Sequence, residues 1–177
     1  MDKKLCVLFP GIGYHCDKPL LYYTDMLAYS HGYETVRLKY SGFSEDADAA
    51  HHALWLSGSQ LSRVKFAQYS RIVFVGKSIG TAAALAYREK RGVSADCVLF
   101  TPLVQTFDFS AEGSVAFHGT SDRWAPTEDI SRLCSEKGVK LFTYEGRDHS
   151  LEIDRPIEDI STIADVIAKL EAENIFR

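Results

Sequence analysis

A serine flanked by glycines follows an apolar run in IVFVGKSIGTA, residues 72–82. Gly-Lys-Ser after a strand is typical of a phosphate-binding P-loop, whereas GKSIG at residues 76–80 fits the G-x-S-x-G pattern of a turn that exposes a reactive serine. A P-loop also needs a glycine five residues before its Gly-Lys pair, but that position is Arg71. Because residues 71–75 read as a strand, no loop remains to surround a phosphate. The sequence therefore favours the serine turn, centred on Ser78.

A carboxylate and an imidazole follow this serine in a suggestive order. A serine hydroxyl is a poor nucleophile unless a base accepts its proton and an acid orients that base. Asp122 lies in HGTSDRWAP after the fifth apolar run, and His149 lies in EGRDHSLE after the sixth. The carboxyl ends of parallel strands meet at one edge of a sheet, and the order Ser, Asp, His accompanies a G-x-S-x-G serine. We therefore predict that the three side chains converge.

Other titratable residues compete for these positions. Asp148 and Glu145 are closer to His149 in sequence, but adjacent loop residues usually point apart, which favours Asp122 as the acid. His118 precedes Asp122, the wrong chain order for a base, and is interpreted as structural.

The residues around the serine leave alternatives open. Lys77 could lower the pKa of the nucleophile or cap the turn, and a solvated lysine is the favoured interpretation. His15 and Tyr14 follow the first apolar run and are candidates for the wall of a binding pocket. Trp124 could crowd the mouth of the site or belong to the core.

The surrounding elements are predicted from alternating short apolar runs and longer helical patterns, which indicate βαβ units. Predicted strands cover residues 5–9, 33–40, 71–76, 96–101, 114–119 and 140–146, and predicted helices cover 18–31, 46–69, 79–91, 126–138 and 157–175. In the last helix an apolar stripe is expected to pack on the sheet: Ile157, Ile160, Ile163, Ala164, Ile167 and Leu170. We predict an α/β three-layer sandwich whose six-stranded, mostly parallel sheet has helices on both faces. Its predicted strand order is 2-1-3-4-5-6, with the site at the switch point.

Composition narrows the class of protein. A chain of 177 residues with 46% hydrophobic and 25% charged residues fits a single domain over residues 1–177. The net charge of −4 argues against a nucleic-acid partner. The N-terminal run before Pro10 is too short for a signal peptide or a membrane span, so we expect a cytoplasmic protein with no membrane partner. The four cysteines form no C-x-x-C pair, which favours buried free thiols and no metal or other cofactor.

Taken together, these motifs resemble the α/β-hydrolase superfamily over nearly the whole chain. GKSIG resembles its nucleophile turn, HGTSDRWAP its acid loop and RDHS its histidine loop. The resemblance implies Ser78 as the nucleophile, His149 as the general base and then acid, and Asp122 as the orienting carboxylate. It also implies an oxyanion hole whose first N–H belongs to Ile79, the residue after the nucleophile.

The second oxyanion donor is expected in FPGIGYHCDKP, where Pro10-Gly11 replaces the His-Gly of the family. Ile12 is the preferred donor and Gly13 the alternative, with Tyr14 next to them. Only residues 102–113 could form a lid, so the protein is expected to be a small, open version of the fold.

Three functions remain compatible with these residues. The leading one is a cofactor-free, carboxylesterase-like serine hydrolase that cleaves a small ester, thioester or amide through an acyl-enzyme. A binding protein that has lost the chemistry and an acyltransferase with the same three residues are the alternatives. The sequence leaves the substrate's identity and the oligomeric state open.

Overall fold

The computed structural model describes residues 2–43 and 48–177. Strands and helices alternate along the chain, with two short 3₁₀ segments at Phe66–Gln68 and Val104–Asp108. In chain order the other elements are β1 (Lys4–Phe9), α1 (Pro19–Ser30), β2 (Tyr33–Arg37), α2 (Ala49–Gln60), β3 (Arg71–Lys77), α3 (Ile79–Arg91), β4 (Asp96–Phe100), β5 (Val115–Gly119), α4 (Thr127–Glu136), β6 (Lys140–Tyr144) and α5 (Pro156–Ala172).

The six strands form one sheet in the order β2-β1-β3-β4-β5-β6, and every neighbouring pair is parallel. This confirms the predicted strand order and fold class. From β1 the chain runs to β2 on one side and then crosses to β3 on the other, which makes β1 and β3 the switch point of the sheet. At such a point the loops at the carboxyl ends of the strands diverge and leave a crevice.

Helices cover both faces of the sheet and create two apolar cores. Every residue of β3 after Arg71 is buried, as expected for a strand covered on both sides. One core joins α2, α3 and α4 to the sheet and includes Phe74 of β3. The other joins α1 and α5 to the opposite face and includes Val73 and Val75. Side chains of β3 therefore alternate between two buried layers.

Helix ends follow the predicted signals in part. Gly92 ends α3 with φ 60°, a left-handed conformation that glycine adopts without steric cost, and Pro156 begins α5. Pro126 instead stands immediately before α4 as its N-cap.

The prediction of one helix over residues 46–69 was wrong at its C-terminal end. The helix α2 ends at Gln60 and a separate 3₁₀ segment follows, while residues 46 and 47 lie outside the described residues. The predicted second strand also extended too far, because β2 ends at Arg37.

The apolar stripe of α5 packs on the sheet only in its second half. Ile163, Val166 and Leu170 are buried, whereas Ile157 and Ile160 are exposed. The prediction was wrong for these two isoleucines in the first turns of α5, and also for Ala164, which is exposed.

All four cysteines are buried free thiols, as predicted. Among the described helices, none combines the length and the apolar character needed to cross a membrane. Within residues 2–43 and 48–177, no group of three or more His, Cys, Asp or Glu side chains could hold a metal ion.

Candidate active site

Ser78 occupies a one-residue turn between the last residue of β3 and the first of α3. Its φ of 54° and ψ of −123° lie in a sparsely populated region, which costs about 1–3 kcal/mol. Two backbone hydrogen bonds hold this conformation: the Ser78 N–H donates to Phe100 O at 2.9 Å, and the Thr81 N–H donates to Ser78 O at 2.9 Å. The neighbouring strand and helix thus fix the serine at the carboxyl edge of the sheet.

The two flanking glycines are required by close backbone contacts. A Cβ on Gly76 would lie 2.6 Å from Thr81 Cα, and one on Gly80 would lie 2.1 Å from Phe9 O. Real Cβ atoms essentially never approach backbone atoms this closely. The G-x-S-x-G pattern therefore reflects the tight passage of β3 and α3 past each other and past β1.

A second hydrogen-bond chain ties Ser78 to the segment between β4 and β5. The Thr81 hydroxyl donates to Ser78 O at 2.6 Å and lies 2.6 Å from the Thr106 hydroxyl. Because Thr81 uses its proton on Ser78, Thr106 must donate to Thr81. Thr106 in turn accepts the Leu103 N–H at 3.1 Å.

The structure brings Ser78, His149 and Asp122 together from three loops. His149 Nε2 lies 2.7 Å from Ser78 Oγ, and His149 Nδ1 lies 2.6 Å from Asp122 Oδ2. The loops follow β3, β5 and β6, so the carboxyl edge of the sheet supplies all three side chains. The geometry allows the imidazole to accept a proton from the hydroxyl while the carboxylate holds its other nitrogen.

Asp122 is placed to stay ionised. Burial opposes its charge, but the hydrogen bonds from His149 and from the Trp124 N–H outweigh burial and hold the pKa of Asp122 below its ordinary value. The Trp124 N–H donates to Oδ1 at 2.9 Å, so each carboxylate oxygen has a partner. The carboxylate is therefore available to orient His149 at neutral pH.

The histidine loop is built on its own backbone contacts. Asp148 Oδ1 accepts the N–H groups of Ser150 at 2.7 Å and Glu152 at 3.0 Å, so this carboxylate serves the loop rather than His149. Glu145 is exposed. A Cβ on Gly119 would lie 2.3 Å from Arg147 O, which shows how closely this loop passes the end of β5.

A tight turn at residues 11–14 lies beside the serine. The Gly11 N–H donates to Tyr14 O at 3.0 Å, and the Tyr14 N–H donates to Gly11 O at 3.3 Å. A Cβ on Gly11 would be 3.2 Å from Ser78 Cβ. Gly13 has φ +71°, as the third position of a type II turn requires. Ile12, between them, is exposed.

The N–H groups predicted as oxyanion donors belong to backbone that adjoins Ser78. Those of Ile12 and Gly13 lie inside the turn and take no part in its two hydrogen bonds. Ile79 begins α3, and the first N–H groups of a helix have no intrahelical acceptor. None of these three N–H groups is therefore used in the backbone hydrogen bonds that close the turn or continue the helix.

Lys77 departs from the sequence interpretation. A solvated lysine was favoured, and this is wrong: the side chain is 1% exposed. Its Nζ lies 4.8 Å from the centre of the Tyr14 ring. The signal that could have revealed this is the alternation along β3, which places Lys77 on the same face as Val73 and Val75.

The remaining candidates divide between the interior and the rim. His118 is buried with Nε2 3.2 Å from Thr127 Oγ1, and its Nδ1 lies 3.8 Å from Asp122 Oδ2. Burial lowers the pKa of His118, so it stays neutral behind the carboxylate. His15 is exposed beside Asp17. Trp124 is also exposed, with its ring centre 6.5 Å from that of His149.

Comparison with known proteins identifies the fold. No protein-family model and no curated protein matches the sequence. Similar solved structures include an α/β serine hydrolase homologue from Coxiella burnetii, 15% identical, which covers 95% of this chain and 85% of that chain with a TM-score of 0.70. A Xanthomonas campestris member of the α/β serine hydrolases without a lid is 12% identical, with coverages of 98% and 82% and a TM-score of 0.70.

Est1E from Butyrivibrio proteoclasticus, solved with ferulic acid bound, is 14% identical, with coverages of 96% of this chain and 90% of that chain and a TM-score of 0.66. At these identities the comparisons establish architecture. The chain has the α/β-hydrolase fold, which confirms the resemblance read from its motifs.

Proposed function

We propose that the protein is a serine hydrolase that cleaves a small ester, thioester or amide through an acyl-enzyme on Ser78. The observation that carries this proposal is the continuous hydrogen-bond chain from Ser78 Oγ through the His149 ring to Asp122. Fold alone does not fix function, because one fold hosts many activities. The support therefore comes from the side chains themselves.

In the first half of the reaction, Ser78 Oγ attacks the acyl carbonyl while His149 Nε2 accepts the hydroxyl proton. The distance of 2.7 Å between these atoms is suited to direct proton transfer. Asp122 holds Nδ1–H of the imidazole at 2.6 Å and stabilises the imidazolium that forms. His149 then donates its proton to the leaving alcohol, thiol or amine as the carbon–heteroatom bond breaks.

The negative charge on the carbonyl oxygen needs hydrogen-bond donors during attack. We assign the Ile79 N–H and the Ile12 N–H to this role, with the Gly13 N–H as the alternative to Ile12. Fixed donors of this kind contribute about 10²–10³-fold each to the rate. The closeness of Gly11 to Ser78 supports the assignment, since it brings the turn to the reacting centre.

In the second half, a water molecule gives its proton to His149 and attacks the acyl-serine, which releases the acid and restores Ser78. Transfer to another acceptor would use the same residues. The two outcomes differ in product, so mass spectrometry of a reaction with added alcohols separates hydrolysis from acyl transfer.

A fluorophosphonate probe tests the nucleophile directly. We expect a single covalent adduct located on Ser78 by peptide mass spectrometry, and none on Ser78→Ala. That variant should lose about 10³-fold or more of the turnover of p-nitrophenyl esters. Ser135→Ala, which changes an exposed serine on α4, is the matched control and should retain both labelling and turnover.

An inactive binding protein, the alternative function, predicts the opposite result. It expects neither an adduct nor ester turnover in the wild-type protein, whatever the acyl chain length. An adduct at a serine other than Ser78 would also reject the proposal.

A further inference from the structure

Lys77 is a buried cation directly beside the proposed nucleophile. Its side chain is 1% exposed, although burying an ammonium group costs more than burying an apolar side chain of similar size. The backbone contacts of the serine turn do not require a lysine there, because they involve Gly76, Ser78, Gly80 and Thr81. A costly charge next to a reacting group is a candidate for a functional role.

The contacts of Lys77 lead to the turn at residues 11–14. Its Nζ lies over the Tyr14 ring at 4.8 Å from the centre, within the range of a cation–π interaction. Tyr14 closes the turn through its two hydrogen bonds with Gly11, and its hydroxyl accepts the Leu20 N–H at 3.0 Å. The lysine thus contacts the residue that closes the turn carrying the Ile12 and Gly13 N–H groups.

Charges from two loops act on the ammonium group. Burial, the largest effect, lowers the pKa of Lys77 to about 7, against the opposing attraction of Asp122, Asp148 and Glu152. Burial also raises the pKa of the Tyr14 phenol, so the ring remains neutral when Lys77 changes its charge. His149 lies on the same loop as Asp148 and Glu152, and its ring is hydrogen-bonded to Asp122. Lys77 can therefore gain or lose its proton near neutrality.

We propose that Lys77 is a positioning residue whose ammonium group, held against the Tyr14 ring, keeps the turn at residues 11–14 in place for the oxyanion. This inference rests on the proposed function. Loss of the proton removes the attraction to the ring and lets the turn relax away from Ser78. The charged form of Lys77 is the active one.

Stability and activity should then respond to pH in opposite directions. For a lysine with a lowered pKa, the folded protein binds fewer protons than the unfolded chain between about 7 and the ordinary value of 10.5. The cost of burying Lys77 is therefore complete below pH about 7 and declines as the pH rises toward 10.5. The activity should fall in the lower part of this pH range, as Lys77 loses its proton.

Lys77→Met separates these effects, because methionine fills a similar volume without a charge. We expect the variant to melt several degrees higher than the wild type at pH about 6.5 and to turn over p-nitrophenyl acetate more slowly. The expected loss in kcat is on the order of 10- to 100-fold, up to that for removing an oxyanion donor, with little change in KM. Lys90→Met, at an exposed position of α3, is the matched control and should change neither property.

The pH profile provides a readout that a purely structural lysine would not move. Rates followed at the isosbestic wavelength of nitrophenol should fall above neutrality in the wild type, and this falling limb should be absent from Lys77→Met. The two proteins should converge at high pH. A higher rate, an unchanged profile or a lower melting temperature in Lys77→Met would overturn the inference.

Variants of Tyr14 test whether Lys77 affects kcat through the Tyr14 ring. Tyr14→Leu removes the ring, and its loss of kcat should not add to that of Lys77→Met in the double variant. Tyr14→Phe retains the ring and should retain the falling limb. Additive losses would show that Lys77 does not act through Tyr14.

The wild-type protein distinguishes failure of this inference from failure of the proposed function. If the wild type gives no adduct on Ser78 and no turnover, the proposed function is rejected. If it gives both, but the variants do not behave as expected, only the role of Lys77 is rejected.

Discussion

The serine turn and the turn at residues 11–14 lie side by side, but different forces hold them. Gly76 and Gly80 have backbone atoms 2.6 Å and 2.1 Å from where a Cβ would be. A Cβ on Gly13 would have nothing within 4 Å. Glycine is favoured at this position only because its φ of +71° strains other residues. Close packing therefore fixes the serine turn in one conformation. The turn at residues 11–14 depends instead on its local backbone conformation and on side-chain contacts.

This difference separates two tasks in the candidate site. Ser78 is held by backbone hydrogen bonds to β4 and to the first turn of α3. The proposed donors of Ile12 and Gly13 instead lie on a turn that Tyr14 closes, with Lys77 against the Tyr14 ring. Substitutions in the two turns should therefore reduce the free energy of unfolding by different amounts.

The largest effect is expected from Gly80→Ala. The new Cβ would clash with Phe9 O and Pro10 O, backbone atoms that can move only if β1 separates from α3. We expect a loss of more than about 4 kcal/mol in the free energy of unfolding, measured by urea titration, or a protein that does not fold. Gly58→Ala is the matched control: it lies in α2 with open space around it and should gain about 0.5–1 kcal/mol. Equal stabilities of the two variants would contradict the packing argument.

Asp122→Asn should leave the fold intact and remove most of the activity. An amide can hold the imidazole in the wrong tautomer, and the loss in kcat for esters should be on the order of 10⁴-fold. Fluorophosphonate labelling should slow in parallel. Asp108→Asn, at an exposed position, should retain full activity. A small effect of Asp122→Asn would mean that another group orients His149.

The smallest effect is expected from Gly13→Ala, which forces a side chain into the left-handed region without any clash. We expect a loss of about 1–2 kcal/mol in the free energy of unfolding. Gly13→Asn should lose less, because asparagine tolerates this conformation better than alanine. A loss as large as that of Gly80→Ala would erase the distinction between the two turns.

The sequence was sufficient to predict the features that depend on repeated patterns. Alternating apolar runs and helices determine a parallel sheet, and the order of Ser78, Asp122 and His149 after three strands was enough to predict that they meet. Gly76 and Gly80 were recognisable from the G-x-S-x-G pattern, although the backbone that requires Gly80 belongs to Phe9 and Pro10. These features need no knowledge of distant side chains.

The features missed by the sequence interpretation depend on what covers a given residue. Alternation along β3 indicates the face on which Lys77 lies, but the Tyr14 ring that its ammonium group contacts is distant in sequence. The exposure of Ile157 and Ile160 depends on which other elements reach the first turns of α5, and the apolar stripe itself does not encode that. No glycine or proline follows Gln60 before Gly76 to signal the end of α2.

The chain of hydroxyl groups from Thr106 through Thr81 to the carbonyl of Ser78 limits how this protein could be remodelled. A lid could be engineered by a longer insert between β4 and β5, but the insertion point would need to lie after Asp108. Placed before Thr106, the same insert would displace the hydroxyl groups that bond to the Ser78 carbonyl.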